Sequence, residues 1–139
     1  RQVGTPLEIY RQPSDTFVAD FIGSSNLLQG SCMGAREVKI GDQHLVVAEM
    51  PAGISDGTSV TVSVRPEDIT ILPGAEKGNN RMPGTVSFIR DVGSNVEIYL
   101  NCKGLQIISQ STPKGRPDVK QGDKATAILP AASCIVLKS

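Results

Sequence analysis

The chain has 139 residues, a size suited to one domain with a usable core, and its 14 Lys and Arg equal its 14 Asp and Glu, for a formal net charge of zero. That balance gives no electrostatic footprint for nucleic acid and no polybasic anchor for a membrane surface. No run of about 18 apolar residues offers a membrane span.

In chain order, residues 5–22 read as two short helices. Thr5 stands as N-cap, Pro6 takes the first helical position where its missing N–H costs nothing, and Glu8 sits at the capping-box spacing. Such a cap contributes about 1 kcal/mol. Pro13 biases Gln12 away from helix, Ser14 caps the second segment, Phe17, Val18 and Phe21 share a face, and Gly23 is a C-terminal stop.

From Ser24 onward the period changes to two. Val60, Val62 and Val64 alternate with Thr61, Ser63 and Arg65; Val86 and Phe88 with Thr85 and Ser87; Val96, Ile98 and Leu100 with Glu97, Tyr99 and Asn101. Shorter strand candidates are 27–33, 37–40, 45–48, 69–72, 105–109, 125–129 and 134–137. Turn signals separate them: Gly41-Asp42, Asp56-Gly57, Pro73-Gly74, Pro83-Gly84, Gly93-Ser94, Lys103-Gly104 and Gly122-Asp123. Many short half-buried strands at this spacing predict a mainly β domain, a small barrel or sandwich, preceded by the two helices. Residues 73–84 form the longest loop candidate and divide the β region into halves of about 24–72 and 84–138, with no convincing sequence repeat between them.

The chemistry this sequence lacks is informative. No two glycines are five apart, which excludes a phosphate-cradling P-loop, and none are two apart, which excludes GxGxxG. With His44 as the one histidine, no triad, HExxH or Cys/His zinc site assembles by the usual spacings, and His44 reads as a strand or edge residue. Glu67-Asp68 follows Pro66 directly and suits a turn or short helical start. Cys32, Cys102 and Cys134 are odd in number and widely spaced, as expected of reduced core thiols in a cytosolic protein. The basic run Lys114, Arg116, Lys120 and Lys124 is diluted by Asp118 and Asp123 and reads as a solvated face. Phe88 and Tyr99 are the only aromatics of the β region, too few for the stacking platforms of a single-strand nucleic-acid barrel.

Several pieces then line up in order. Gly4-Thr5-Pro6, Glu8, Tyr10 and Pro13, followed by Phe17 to Phe21 and Gly23, resemble the hinge that leaves the ATPase domain of ATP-binding cassette (ABC) importers serving maltose, polyamines, ferric iron and related solutes. Val64-Arg65-Pro66-Glu67-Asp68-Ile69 resembles the signature of the TOBE-type regulatory domain, and Gly84-Thr85-Val86 through Gly93-Ser94 and Val96-Glu97-Ile98 resembles its second half. The resemblance implies a helical hinge over 1–23 and an OB-like TOBE-type β domain over 24–139. It also implies that the chain is a C-terminal piece of a longer ATPase subunit, since the hinge begins at residue 4. The ATP-contacting motifs have no counterpart here. ATP and Mg belong to the missing N-terminal ATPase domain, and this piece carries no cofactor, metal or catalytic residue. The implied partners are a second copy of the subunit, membrane permeases and a regulatory protein, with no nucleic acid, at the cytoplasmic side of the membrane. Ser24-Ser25-Asn26-Leu27-Leu28 is short and lacks proline, which resembles the polyamine, ferric-iron and phosphonate branch more than the sugar branch.

Two functions from different classes follow. One is a non-catalytic regulatory and dimerisation domain, in which Arg65, Pro66 and Glu67 form a hub between strand and turn, or simply order that turn. The other is a small-ligand or oxyanion sensor, for which Gly93-Ser94-Asn95 and Ser111-Thr112-Pro113-Lys114 supply hydroxyl, amide and backbone N–H groups.

Overall fold

The computed structural model describes residues 25–138, so the helices expected over 5–22 and the rest of the hinge lie outside the described residues. The two-residue period does become strands. Among the described residues these are β1 (Asn26–Gly34), β2 (Glu37–Ile40), β3 (Gln43–Val46), β4 (Ser59–Val64), β5 (Thr70–Pro73), β6 (Arg81–Asp91), β7 (Val96–Cys102), β8 (Leu105–Ser111), β9 (Lys124–Ile128) and β10 (Ile135–Lys138). A 3-10 turn at Pro66–Asp68 precedes β5 and another at Ala131–Ser133 precedes β10. The alternating valines of β4 put Val60, Val62 and Val64 wholly inside.

The strands form two five-stranded antiparallel sheets, ordered β10-β4-β1-β2-β3 and β5-β9-β6-β7-β8. The second sheet repeats the first in topology. In each, a four-stranded stretch of chain ends in a 3-10 turn and a fifth strand. Both first strands carry a bulge, between Cys32 and Gly34 in β1 and between Val86 and Phe88 in β6. The fifth strands are exchanged. Ile71 of β5 lies opposite Ala127 of β9, and Val136 of β10 lies opposite Val62 of β4. Each sheet therefore takes its outer strand from the other half of the chain, and the core is one cluster fed by both halves, including Leu28, Leu45, Val62, Ile71, Met82, Ile98, Ile107 and Leu129.

Two sequence expectations need correction. Pro83-Gly84 is not a turn but lies inside β6, with Pro83 opposite Thr126 and Gly84 opposite Ala125 of β9. The glycine is there for close approach: a Cβ would meet the Asn101 carbonyl and come within 2.8 Å of the Cys102 sulfur. Gly30 holds the corresponding place in β1, where a Cβ would meet the Lys39 carbonyl. Nor is 73–84 the longest loop, because β6 begins at Arg81; the connections at 47–58 and 112–123 are longer.

Candidate functional site

Pro66 and Glu67 open the first 3-10 turn, Pro66–Asp68, and Arg65 precedes it. Arg65 is extended at its N-cap, its carbonyl accepts from the Asp68 N–H at 3.0 Å, and the Pro66 carbonyl accepts from the Ile69 N–H at 3.3 Å. Pro66 suits the first position because its fixed φ is already helical. The Arg65 guanidinium lies 3.8 Å from the Glu67 carboxylate, with both side chains about half exposed. The turn redirects the chain from β4 in one sheet to β5 in the other. Pro130 and Ala131–Ser133 do the same between β9 and β10.

Where a fifth strand passes the end of the other half's third strand, a cleft opens. The first, about 400 Å³, is lined by Glu67, Thr70, Asn95, Gln110, Ser111 and Thr112, with Ile69, Ile71 and Ser109 beneath. The structure thus brings together Asn95 and Ser111-Thr112, which the sequence had placed on separate segments, and adds Glu67. Gly93 and Ser94 are not among the lining residues; Gly93, with φ +89°, makes the β6–β7 turn, and its N–H donates to the Asp91 carboxylate at 2.9 Å. Within the cleft, Ser109 Oγ donates to the Ile69 carbonyl at 2.9 Å and Thr112 Oγ1 accepts from the Gly115 N–H at 3.0 Å. The Ser111 hydroxyl is buried, with no hydrogen-bond partner among the described residues.

The second cleft, about 760 Å³, occupies the matching place beside β10 and is lined by Ala48, Glu49, Met50, Ala132, Cys134 and Ile135, with Arg36 at its side. A third, about 380 Å³, lies between the β2–β3 and β7–β8 turns, with Gln29, Ile40, Met82, Cys102 and Leu105 around it. At its side Lys103 Nζ is 2.7 Å from Asp42 Oδ2, and this hydrogen bond and charge hold the Asp42 carboxyl below its usual range. Burial pushes the Cys102 thiol up to about 11 and the Cys134 thiol to about 12, so both stay protonated and unreactive near neutral pH. Among the described residues no group of His, Cys, Asp and Glu is arranged to hold a metal, and no helix is long and apolar enough to cross a membrane.

Gly4, Thr5, Pro6, Glu8, Tyr10, Pro13, Phe21 and Gly23 lie outside the described residues. Sequence reasoning missed two residues that hold the frame of the clefts. Asn26 Nδ2 donates to the Val64 carbonyl at 3.2 Å and the Ile108 carbonyl at 2.9 Å, while its Oδ1 accepts from the Ile108 N–H at 2.8 Å. Asn80 repeats this, donating to Val46 and Leu129 carbonyls at 2.9 and 2.7 Å and accepting from the Val46 N–H at 2.8 Å. Each amide stands in for a strand residue against the third strand of the other half, β8 for Asn26 and β3 for Asn80. Their equivalence shows only in the repeated topology of the sheets, which the sequence does not display.

A duplicated small β-fold of this kind is found in a solved structure of the cytoplasmic molybdate-binding protein ModG with molybdate bound. Its TM-score is 0.67 over 82% of this chain and 96% of that one, at 20% identity, a likeness that shows the fold alone. Residues 62–137 match the TOBE domain family, and the chain belongs to that family. It is also 36% identical over 79% of its length to the spermidine/putrescine import ATP-binding protein PotA of Bacteroides thetaiotaomicron, and 33% identical over 79% to that of Bacteroides fragilis. The chain spans 23% of the length of each of these relatives.

Proposed function

We propose that this chain is the non-catalytic C-terminal regulatory domain of an ABC importer ATP-binding subunit, holding two copies of the subunit together while ATP hydrolysis drives solute import. The observation that carries this reading is the likeness to ATP-binding import proteins over 79% of the chain. ATP and Mg act in an ATPase domain outside the chain, and the subunit works against membrane permeases at the cytoplasmic face. A fold that exposes hairpin turns and an outer strand on each sheet offers surfaces for a second copy or a regulatory protein. Native mass spectrometry of the 139-residue chain at rising concentration tests the dimerisation role. A dimer that grows with concentration and carries no adduct is expected; a monomer throughout would remove it.

A second reading, small-ligand sensing, is favoured by one observation: Glu67, Asn95, Ser111 and Thr112 converge on a single cleft, where the Ser111 hydroxyl has no partner among the described residues. A stoichiometric adduct on a monomer in the same spectra would favour it over dimerisation.

A further inference from the structure

We infer that the cleft between β5 and β8 binds a neutral polyhydroxylated molecule, a sugar or sugar alcohol, rather than an oxyanion. The inference rests on the ligand-sensing reading above and names its ligand class.

The internal repeat supplies the comparison. At matching places in the repeated topology, Thr70, Gln110, Thr112 and Glu67 of the first cleft stand where the second has Ile135, Ala48, Met50 and Ala132. Glu49 and Arg36 also line the second cleft, but at these four places the fold accepts apolar residues, so the four polar ones are not something the strand exchange requires. Ser109, which replaces the buried Val47 of the other half, places a hydroxyl under the cleft and spends it on the Ile69 carbonyl.

Charge decides the ligand class. An oxyanion site needs converging N–H groups or cations. Among the described residues no Lys or Arg lines this cleft, and the one charged lining residue among them is Glu67, with Arg65 3.8 Å away to offset its carboxylate. Arg116, close by in sequence, faces Asp91 at 4.0 Å instead. The remaining lining side chains are hydroxyls and amides, which both donate and accept. Thr112 Oγ1 already accepts from Gly115 and keeps its proton to give, whereas Ser109 Oγ has given its proton and keeps lone pairs; the Ser111 hydroxyl has neither kind of partner among the described residues. Mixed donors and acceptors of no net charge match ligand hydroxyls, each of which is also both. About 400 Å³ lies within the usual size range of small-molecule sites.

The test is an amide ¹H–¹⁵N NMR titration of the full chain with sorbitol and, separately, with sodium molybdate. Saturable shifts at Thr70, Asn95, Ser111 and Thr112 are expected with sorbitol and none with molybdate. Giving the cleft the other half's residues, Thr70→Ile with Thr112→Met, should weaken sorbitol binding about tenfold or more, since ligand hydroxyls then face unpaired apolar groups. Should that pair fail to fold, Gln110→Ala, which copies Ala48 of the other half, replaces it. Saturable molybdate shifts at the same amides would overturn the ligand class and leave sensing intact. Silence with both probes would overturn the class and the sensing reading together, and unchanged affinity in the variants would overturn the placement in this cleft.

Discussion

Asn26 and Asn80 are where single side chains do most to join the halves. Each makes three hydrogen bonds, and their partners lie 34 to 82 residues away in sequence. No local pattern announces such a role: Asn80 reads as one more loop residue beside Asn79, and Asn26 as the residue after a pair of serines. Asn80 also has φ +61°, a left-handed conformation that Asn tolerates better than most residues. Asn80→Ala leaves the Val46 N–H and the Val46 and Leu129 carbonyls without their partner and adds backbone strain. It should cost about 2–4 kcal/mol, read as a lower urea midpoint at unchanged slope. Asn26→Ala, without the strain, should cost roughly 1 kcal/mol less. A loss below about 0.5 kcal/mol in both would mean that solvent replaces these bonds freely.

At the scale of elements, the alternation in Val60–Val64 and Val96–Leu100 made β4 and β7 legible, β7 with one inward face and β4 with Thr61 and Ser63 covered on its second face as well. The start of β6 was not legible. Pro and Gly together normally signal a turn, but here Pro83 and Gly84 are accommodated where the strand pairs with β9 and passes close over Asn101. The exchange of β5 and β10 was equally hidden, since a short apolar strand fits either sheet and only the direction taken after the 3-10 turn decides which. The cleft between β5 and β8 was half legible: its polar segments were visible, their convergence was not. The exchange has a testable consequence. A terminal strand such as β10 ordinarily frays, yet Val136 and Leu137 are buried and pair with Val62 and Thr61 in the other half. The amides of β5 and β10 that bond across the ladder should exchange only through global unfolding, with protection equal to that of β4 and β9. Markedly faster exchange in β10 alone would show that its strand opens separately.

At the scale of the molecule, the question is what couples the halves: surface charge, or the exchanged strands and common core. The one cross-half ion pair with a short contact among the described residues is Lys103 with Asp42, and both side chains are well exposed, at 72% and 63%. Exposed pairs contribute little, and salt screens them. The sign of its pH dependence follows from the lowered Asp42 carboxyl. A depressed carboxylate adds stability above its ordinary value of 3.8, and that addition is lost as pH falls from there through the lowered value. Lys103→Met should therefore leave thermal stability at pH 7 nearly unchanged and flatten part of the decline below about pH 4. The core, by contrast, has no boundary between halves, since β5 and β10 bury Ile71 and Val136 in sheets built by the opposite half. Calorimetry of the Lys103→Met variant should still show one transition, with equal calorimetric and van't Hoff enthalpies. Two transitions would mean that the surface pair, and not strand exchange, makes the two halves one folding unit.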